Sequence, residues 1–471
     1  MIQISKSDFL DYRSCDKGWW LKHRKPNAVS WPAPSAFDRM LMADGYAVEA
    51  EAKKLVATWP HRDACTFQRV FDAGTLYARA DLVHDVGGGA IDLYEIKGST
   101  SLRSSSGHDH VDDACFQTLV AERAGVTVRS VYIMHVNAEY KRAGAVDPAE
   151  LLVIIDVTSE VRARSAGIGE EIDAAIALIA SDAIDERGCT CRHIGKASHC
   201  ASFGYFNPDI PENSAYLLPR ISRKRLETLD SEQRLAIDHV TEKDVTPAQL
   251  PIWRALASWA PLIDRPAIGA FLEPLQWPLH FYDYETFAAA VPIADGHRPQ
   301  QAMPVQFSLH RLAADGRLDH AEFLADGPGQ QAELVAALRE AFADEGSAIV
   351  WNKSFEKGCN DRMAELLPEA AAFLAGVNER TFDLMDPFKA HYVHPRFGGS
   401  TSIKKVLPIL CPHLHYDPSA VHDGAGAMEA WIHMVEASDA AERTRLATEL
   451  KDYCRLDSLA MVEIFQVLRA L

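Results

Sequence analysis

The N-terminal half of the chain takes its fold from Ala78-Arg79-Ala80-Asp81 and Leu93-Tyr94-Glu95-Ile96-Lys97, with Gly87-Gly88-Gly89 midway between them. Two apolar runs on either side of a glycine turn predict a β-hairpin. Asp81 and Glu95 are each seven residues from the central glycine. The paired strands should therefore place these two carboxylates opposite each other.

Two opposed carboxylates repel each other and destabilise a sheet. The arrangement becomes favourable if a divalent cation binds between them. Lys97 follows Glu95 by two residues, so both side chains should lie on the same face of the strand. Two acids and a lysine around a metal ion predict a site for hydrolysis of phosphodiester bonds.

The composition sets the class of protein. The 471 residues suggest two or more domains, and 48% hydrophobic with 24% charged residues is typical of globular folding. No apolar run reaches the roughly 18 residues of a membrane helix, and residues 1–6 lack the pattern of a signal peptide. We therefore expect a soluble cytoplasmic protein. The net charge of −18 argues against a passive nucleic-acid binder but not against a nuclease.

The order of the predicted elements is α/β. We expect a first α/β domain over 1–205, a helical connector over 206–275, and a second α/β domain over 276–471. In the first domain the patterns predict helices over 1–30, 36–58, 112–124 and 159–181, a β-rich region over 67–97, and strands over 130–136 and 151–156. In the second domain they predict strands over 279–282, 305–309 and 348–351, a helix over 333–342 and a final helix over 443–471.

A second group of acids lies in the C-terminal half. An Asp-x-Glu pair directly follows the apolar strand over 279–282, and alternation should place both carboxylates on one face. Asn352 and a glutamate four residues later share a helix face, as do a tyrosine and an aspartate near the C-terminus. Around two cations such a set would suit in-line attack on a phosphodiester, with the tyrosine orienting the water. The residues of this set are Asp283, Glu285, Glu356, Tyr453 and Asp457.

Residues 277–471 resemble the DnaQ-like 3′–5′ exonucleases of the DEDD group, which have a ribonuclease H-like fold. Phe281-Tyr282-Asp283-Tyr284-Glu285-Thr286 matches their first motif, and Tyr453-Cys454-Arg455-Leu456-Asp457 fits the tyrosine variant of their third. Trp351-Asn352-Lys353-Ser354-Phe355-Glu356 resembles the second motif, but Glu356 stands where the family usually has Asp. The resemblance implies exonuclease activity with Mg²⁺ or Mn²⁺.

The first half is similar to RecB-like nucleases of the PD-(D/E)XK superfamily, which implies a restriction-endonuclease-like domain. Gly45-Tyr46-Ala47-Val48-Glu49 would supply the first motif, with Glu49 in place of the commoner His. Asp81, Glu95 and Lys97 follow, and Asp113-Ala114-Cys115-Phe116-Gln117 ends in the helical Gln. The resemblance implies that Lys97 polarises the attacking water, that Asp81 and Glu95 hold the metal, and that Gln117 fixes the geometry.

The pairing of the two halves resembles an uncharacterised bacterial family of fused nuclease-like proteins. In that family the segment Phe397-Gly398-Gly399-Ser400-Thr401-Ser402-Ile403-Lys404-Lys405 has a counterpart. Glycines, the hydroxyls of Ser400 and Ser402, and Lys404 at the start of a helix would hold a phosphate of nucleic acid. The simpler interpretation is a helix cap formed by Ser400 or Ser402.

Four of the nine cysteines form a separate group. Some RecB-like nucleases hold a four-iron cluster with one N-terminal cysteine and three beyond the nuclease core, and this layout resembles theirs. The spacing differs, because one residue separates the first C-terminal pair and eight precede the last cysteine. His193 and His199 make zinc an alternative, and ordinary thiols are a third. The four residues are Cys15, Cys189, Cys191 and Cys200.

The sequence thus predicts a metal-dependent nuclease with two sites, acting on nucleic acid and, by family analogy, on DNA rather than RNA. A different class stays open, in which one or both sites are inactive and the protein binds nucleic acid or serves as a scaffold. A phosphoesterase acting on small substrates with the same carboxylates is a third possibility.

Overall fold

Two units account for the chain in the computed structural model, which describes residues 2–105, 108–417 and 420–471. The first unit comprises Met1–Ile210 and Ala289–Gln301, and the second comprises Pro211–Ala288 and Ala302–Leu471. Each unit has a five-stranded mixed sheet with helices packed against it, so the predicted α/β architecture is confirmed. Residues 211–275 belong to the second unit.

The first unit contains seven α-helices and seven strands within the described residues. The helices are α1 (Lys6–Ser14), α2 (Asp16–Arg24), α3 (Ala36–Ala57), α4 (His110–Arg123), α5 (Pro148–Leu151), α6 (Thr158–Ala180) and α7 (Phe203–Phe206). The strands are β1 (Cys65–Asp72), β2 (Tyr77–Gly87), β3 (Ala90–Lys97), β4 (Ser104–Ser105), β5 (His108–Asp109), β6 (Thr127–Val136) and β7 (Leu152–Asp156). The main sheet has the order β1-β2-β3-β6-β7, in which β3 and β6 are parallel and the other neighbours antiparallel.

The predicted hairpin is confirmed as β2 and β3. Leu82 pairs with Tyr94, so the next residues along the two strands, Asp81 and Glu95, are opposed. The turn has three consecutive glycines with positive φ, at 84°, 63° and 79° for residues 87–89. Only glycine adopts such a run without strain, which explains why the turn forms here.

The core of the first unit lies on both faces of this sheet. Ile91 and Leu93 of β3 are buried against α4 and α6, whereas Tyr94 packs with Val48 and neighbouring residues of α3. Each large apolar side chain buried in this way contributes about 1.5–3 kcal/mol. The burial on both faces fixes the direction in which the side chains of β3 point.

The single helix predicted over 1–30 is wrong, because the chain breaks between α1 and α2 at Cys15. Cys15 is extended, with φ −155° and ψ 98°, and its Sγ accepts a hydrogen bond of 3.2 Å from Gly18 N. The thiol therefore acts as the N-cap of α2, and the break directs Cys15 into a buried cluster with Cys189 and Cys191.

The second unit contains ten α-helices and seven strands within the described residues. The helices are α8 (Arg223–Ser231), α9 (Leu250–Ser258), α10 (Arg265–Leu272), α11 (Gln331–Ala341), α12 (Lys353–Leu366), α13 (Ala371–Glu379), α14 (Asp386–Ala390), α15 (Ile403–Leu410), α16 (Gly424–Glu436) and α17 (Ala440–Arg469). The strands are β8 (Leu262–Ile263), β9 (Leu279–Phe287), β10 (Met303–Leu312), β11 (Leu318–Leu324), β12 (Ala348–Val350), β13 (Thr381–Asp383) and β14 (Tyr392–Val393).

The sheet of the second unit has the order β11-β10-β9-β12-β13. The first three strands are antiparallel, and β12 runs parallel to both β9 and β13. Phe281 packs with residues of α15 and α17 on one face, and Tyr282 and Tyr284 pack with α11, α12 and α13 on the other. The central strand β9 is thereby buried on both sides.

One predicted boundary is wrong in a way that affects the site. Asp283 and Glu285 were expected to follow the strand, but β9 continues to Phe287, so both lie within it. The strand extends because β10 pairs along its whole length, with Ser308 opposite Asp283 and Gln306 opposite Glu285. The backbone hydrogen bonds between β9 and β10 outweigh the low strand propensity of the acidic residues.

No helix within the described ranges combines the length and the apolar character needed to cross a lipid bilayer.

Candidate active sites

A cleft in the first unit collects most of the residues predicted from the hairpin. Its volume is about 470 Å³. It is lined by Glu49 of α3, Asp81 of β2, and Glu95 and Lys97 of β3. Lys6 of α1 also lines the cleft, and it was not predicted as a site residue.

Asp81 and Glu95 are held in place by different donors. Asp81 Oδ2 accepts a hydrogen bond of 2.9 Å from Ile96 N. Glu95 is fully buried, and its Oε1 lies 2.5 Å from Lys6 Nζ and 2.8 Å from Lys97 Nζ. Its Oε2 accepts a hydrogen bond of 2.5 Å from Gln117 Nε2, so Gln117 takes the positioning place expected from α4.

The two opposed carboxyls differ in charge state. Burial, with repulsion from Glu95, raises the pKa of Asp81 to about 7. Burial also raises the pKa of Glu95, but the ammonium groups of Lys6 and Lys97 outweigh it and bring that pKa to about 2. Of the two carboxyls, Asp81 is therefore the one that exchanges a proton near neutral pH when no cation is present. Replacing that proton with a hard divalent cation suits the oxygen donors of the pair.

Lys97 is paired twice, with Glu95 and with Asp113 of α4. Burial lowers the pKa of Lys97, but the charges of Glu95 and Asp113 raise it above its usual value, so the ammonium stays protonated. Asp113 Oδ1 and Gln117 Oε1 are buried without a hydrogen-bond partner among the described residues. Unpaired buried oxygens beside the acid pair fit a site that gains a further ligand.

Glu49 lines the same cleft, and both of its carboxylate oxygens already have partners. Its Oε1 lies 2.7 Å from Lys53 Nζ, and its Oε2 accepts a hydrogen bond of 2.8 Å from Gln68 Nε2. Sequence reasoning missed Lys6 and Asp113. Asp113 lies four residues before Gln117 on the same helix face, and this spacing could have predicted it. Lys6 is 89 residues from Glu95, and no local pattern connects the two.

A cavity of about 340 Å³ in the second unit collects the second predicted set. Asp283 and Glu285 come from β9, Glu356 from the first turn of α12, and Tyr453 and Asp457 from α17. Glu285, Glu356 and Asp457 are buried, and Asp283 is half-buried. The structure thus brings together all five residues of the set.

The carboxylates of β9 lie close together. Ligand atoms of Asp283, Glu285 and Cys454 are within 4.8 Å of one another. Cys454 Sγ lies 3.8 Å from the carbonyl oxygen of Asp283, as a donor, and burial raises the pKa of this thiol well above its usual value. The thiol is therefore neutral, and the carboxylates are the groups fit to bind a hard cation.

All four carboxyls of this cavity have raised pKa values. For Asp283, Glu285 and Glu356 burial is the first cause, followed by repulsion from a neighbouring acid, and the pKa of each rises well above its usual value. Burial raises the pKa of Asp457 to about 6 against the hydrogen bond from Tyr416. Glu356 shares a hydrogen bond with Asp283, and Glu356 Oε2 has no partner among the described residues.

Lys404 faces these acids. Its Nζ donates hydrogen bonds of 3.0 Å to Tyr453 Oη and 2.6 Å to the carbonyl of His422. It also lies 5.0 Å from the ring centre of Tyr453 and 5.5 Å from that of Tyr416. Tyr416 donates a hydrogen bond of 2.5 Å to Asp457 Oδ1. Tyr416 was not predicted, because it lies in a segment without regular structure.

The segment before α15 positions Lys404. Gly399 has φ 76°, and a Cβ there would lie 1.9 Å from the carbonyl oxygen of Leu217, so only glycine fits. Ser402 is the N-cap residue of α15 but makes no capping hydrogen bond with its side chain. Ser400 Oγ accepts a hydrogen bond of 3.2 Å from Ser402 N. Phosphate binding by Ser400, Ser402 and Lys404 stays a prediction.

The four clustered cysteines also meet in the first unit. Their Sγ atoms lie within 4.8 Å of one another, and Gly18 N and Asn207 Nδ2 donate to two of them at 3.2 and 3.3 Å. Thiol hydrogen bonds from Cys15 and Cys191 lower the pKa of Cys189 to about 6, and those from Cys15 and its neighbours lower the pKa of Cys200. Hydrogen bonds within the group raise the pKa of Cys15 and Cys191, so these two are thiols without a metal ion, and four sulfurs arranged in this way fit zinc or an iron–sulfur cluster, which would bind them as thiolates. The four are Cys15, Cys189, Cys191 and Cys200.

The expected histidine ligands do not join that group among the described residues. His199 Nε2 lies 2.9 Å from the carbonyl oxygen of Ile194, and its ring stacks on Phe203 with centroids 3.5 Å apart. A donor set of four sulfurs is therefore the arrangement that the structure offers.

The chain is similar to known proteins whose descriptions name no activity. Residues 280–402 match a family described as a domain of unknown function, DUF2779. The chain is 29% identical over 205 residues to the uncharacterised protein MG366 homolog of Mycoplasma pneumoniae, and 27% identical over 205 residues to the uncharacterised protein MG366 of Mycoplasma genitalium. Each match covers 39% of this chain and 31% of the relative, so the chain spans about a third of those relatives.

Proposed function

We propose that this protein is a metal-dependent nuclease with one phosphodiester-hydrolysing site in each unit. The observation that carries the proposal is the convergence, in each unit separately, of carboxylates from distant segments into an open cleft. Buried acids without full neutralisation are costly, and such clusters occur where a protein binds cations or performs acid–base chemistry.

In the first cleft, the Asp81 and Glu95 pair would hold Mg²⁺ or Mn²⁺, which when bound supplies an activated water and neutralises the leaving oxygen. Lys97 lies against Glu95 and lines the cleft, where its ammonium would orient the attacking water and stabilise the charge on the phosphate. Gln117 and Lys6 hold the Glu95 carboxylate in place through a hydrogen bond and an ion pair. These roles match those that the RecB-like resemblance implies.

In the second cavity, Asp283, Glu285 and Asp457 would be the cation ligands, with Glu356 contributing its unpaired oxygen. Burial raises the pKa of Tyr453, so the phenol stays protonated and would orient a water by hydrogen bonding rather than act as a base. Lys404 holds the phenol oxygen in position. The expected reaction is 3′–5′ trimming of a strand end.

The topology supports the same assignment. The antiparallel β11-β10-β9 segment followed by parallel β12 and β13 is consistent with a ribonuclease H-like domain. The mixed sheet with the acid-bearing hairpin β2–β3 beside parallel β6 is consistent with a restriction-endonuclease-like domain. A fold alone hosts many activities, so the proposal depends on the site residues.

Separate inactivation of the two sites tests the proposal. Wild type, Asp81→Ala, Asp283→Ala and the double variant are incubated with Mn²⁺ and end-labelled single- and double-stranded DNA and RNA. We expect wild type to cut, Asp283→Ala to lose end trimming alone, and the double variant to lose all cleavage. Cleavage by the double variant equal to wild type would show that another group or a contaminant is responsible.

A nucleic-acid-binding or scaffold role is the second candidate, and one observation favours it. Glu95 already has three donors, Lys6, Lys97 and Gln117, which leave little of its charge for a cation. If wild type cuts no polymer with Mn²⁺ but retards it on a gel, the binding role holds. If a chromogenic phosphodiester is hydrolysed while polymers are not, the small-substrate phosphoesterase is correct.

We also propose that Cys15, Cys189, Cys191 and Cys200 hold a structural metal centre. The RecB-like resemblance implies a four-iron cluster, whereas sulfurs within 4.8 Å suit a single tetrahedral zinc ion, which needs less space between them. Metal analysis of anaerobically purified protein decides between them. Cys189→Ser should lower metal content and melting temperature, and Cys65→Ser, a cysteine outside the group, should change neither.

A further inference from the structure

Helix α3 presents an apolar surface that no described residue covers. Phe37, Leu41, Met42 and Tyr46 in its first half are exposed to 56%, 51%, 55% and 67%. Phe37 and Leu41 continue, at helical spacing, the stripe that farther along the helix buries Val48, Ala52 and Val56. Met42 and Tyr46, five and nine residues after Phe37, lie on another side of the helix, and exposed apolar groups of this kind mark an interaction site.

This surface is continuous with the catalytic cleft of the first unit. Met42, Tyr46, Glu49 and Lys53 recur at intervals of four, three and four residues, so they form one face of α3, and all four line the cleft that holds Asp81. A partner lying along α3 therefore leads directly to the proposed site of cleavage.

The cations that line the cleft outnumber its carboxylates by one, although Lys53 is paired with Glu49, so the charges beside the surface still favour an anion. Lys53 has a half-exposed side chain, and Arg79 is exposed on β2 at the same cleft. Lys6 and Lys97 lie deeper in the cleft. The ring of Tyr46 lies on the same side of α3 as Lys53, and an aromatic ring beside cations is a combination with which proteins bind single-stranded nucleic acid, because a base stacks while phosphates pair with the cations.

Gly45 supplies an independent observation. A glycine within an exposed helix costs about 1 kcal/mol relative to alanine. A Cβ at Gly45 would have nothing within 4 Å, so packing within the described chain does not require the glycine. It lines the cleft beside Tyr46, where the missing side chain leaves room for a flat base to approach the helix backbone.

From these observations we propose that the side of α3 that lines the cleft, formed by Met42, Gly45 and Tyr46, binds the unpaired bases of a single strand and guides it to Asp81. The inference rests on the proposed nuclease function for the direction of the strand, but binding itself does not require cleavage. The substrate class it names is a strand with exposed bases, so a blunt duplex should bind poorly.

Binding is measured with the full-length Asp81→Ala/Asp283→Ala protein, by fluorescence anisotropy of a labelled single-stranded oligodeoxynucleotide. Tyr46→Ala should weaken binding by about 5- to 100-fold, whereas Phe37→Ala, on the opposite side of α3, should not. Gly45→Leu should weaken it similarly without lowering the melting temperature, because leucine favours a helix. Ile154→Ala, an exposed apolar position on β7, is the matched control and should bind like the parent.

An abasic strand of the same length separates stacking from charge. We expect it to bind weakly and to be insensitive to Tyr46→Ala, whereas Lys53→Ala should weaken both strands and reduce the salt dependence. Equal binding of abasic and normal strands, or unchanged binding by Tyr46→Ala, overturns the proposal. Dissociation of a dimer by Tyr46→Ala, seen by light scattering without a change in strand binding, would overturn it in favour of a second copy on this face.

Failure of the binding-face proposal can be distinguished from failure of the nuclease proposal. If wild type never cleaves but strand binding depends on Tyr46, the nuclease proposal fails and the binding face stands. If wild type cleaves and strand binding does not change in the Tyr46 and Gly45 variants, the binding face is wrong and the nuclease proposal stands.

Discussion

The cleft of the first unit and the cavity of the second gather the same kind of side chain with different charge balance. In the cleft, Asp81 and Glu95 face the ammonium groups of Lys6 and Lys97. In the cavity, four carboxylates face Lys404, the only cation among the described residues that line it. With all their carboxyls ionised, the first site is close to neutral without a metal ion, and the second carries an excess of negative charge.

The charge balance explains the pKa directions. In the cleft the two pKa values separate, to about 7 for Asp81 and about 2 for Glu95. In the cavity all four rise, because burial and mutual repulsion exceed what Lys404 offsets. The comparison teaches that the second site depends more on protons or cations for its stability than the first.

The largest effect on cleavage is expected from substitution of Lys97. Lys97→Met in an Asp283→Ala background should lower cleavage by about 10²–10⁴-fold, because an ammonium positioned at the reacting group is lost. Single-turnover rates with Mn²⁺ measure it. Lys53→Met, which removes another lysine of the same cleft, is the control. Equal losses in the two variants would mean that Lys97 serves only to attract the strand.

Neutralising one acid in each site should have opposite effects on stability. Glu95→Gln leaves Lys6 without its carboxylate and Lys97 with Asp113 alone, and should lower the free energy of unfolding of the first unit by about 3–5 kcal/mol. Glu356→Gln removes repulsion from Asp283 and Glu285, so the second unit should be unchanged or more stable. Hydrogen exchange of β3 and β9 in EDTA reports each unit. Destabilisation by both variants would remove the distinction between the sites.

The two units should also respond differently to pH without metal. The pKa of Asp457 is raised to about 6, so its stabilising contribution is full below pH 4 and falls, by roughly 3 kcal/mol, as pH rises through 6. The pKa of Glu95 is lowered to about 2, so its contribution of similar size is full above pH 4.5 and is lost on acidification through 2. The pKa of Asp81, raised to about 7, costs the first unit stability above pH 4.

The first unit is therefore expected to be most stable near pH 4–5, and the second to lose stability steadily as pH rises. Hydrogen exchange corrected for intrinsic rates gives both curves, and Mn²⁺ should flatten that of the second unit. In the Lys6→Met variant, the loss of stability of the first unit on acidification should occur at a higher pH. Parallel curves for the two units would contradict the difference in charge balance.

The smallest effect is expected at Lys404, which acts through Tyr453. Lys404→Met should slow end trimming about tenfold, because Tyr453 loses the hydrogen bond that positions it. Lys405→Met, an exposed neighbour on α15, should have no effect. If Lys404→Met causes no further loss in a Tyr453→Phe background, the two residues act together. An additive loss would show that Lys404 acts independently, for example on the phosphate.

Several parts of the site follow from local patterns. Alternation along a strand places Asp283 beside Glu285, and helical spacing places Tyr453 beside Asp457. The symmetric distance of Asp81 and Glu95 from the glycine turn determines their register. The break at Cys15 and the strand β11 did not follow, because a thiol cap and an exposed edge strand leave no clear periodicity in the sequence.

The sequence by itself determined which side chains share a strand, a hairpin or a helix face, because those relations depend on residues a few positions apart. Only the tertiary structure decided that Lys6 neutralises Glu95 and that Lys404 holds Tyr453. Such partners lie far apart in the chain and meet through the packing of whole helices on the sheets. The charge balance of each site therefore depends on packing that no local pattern records.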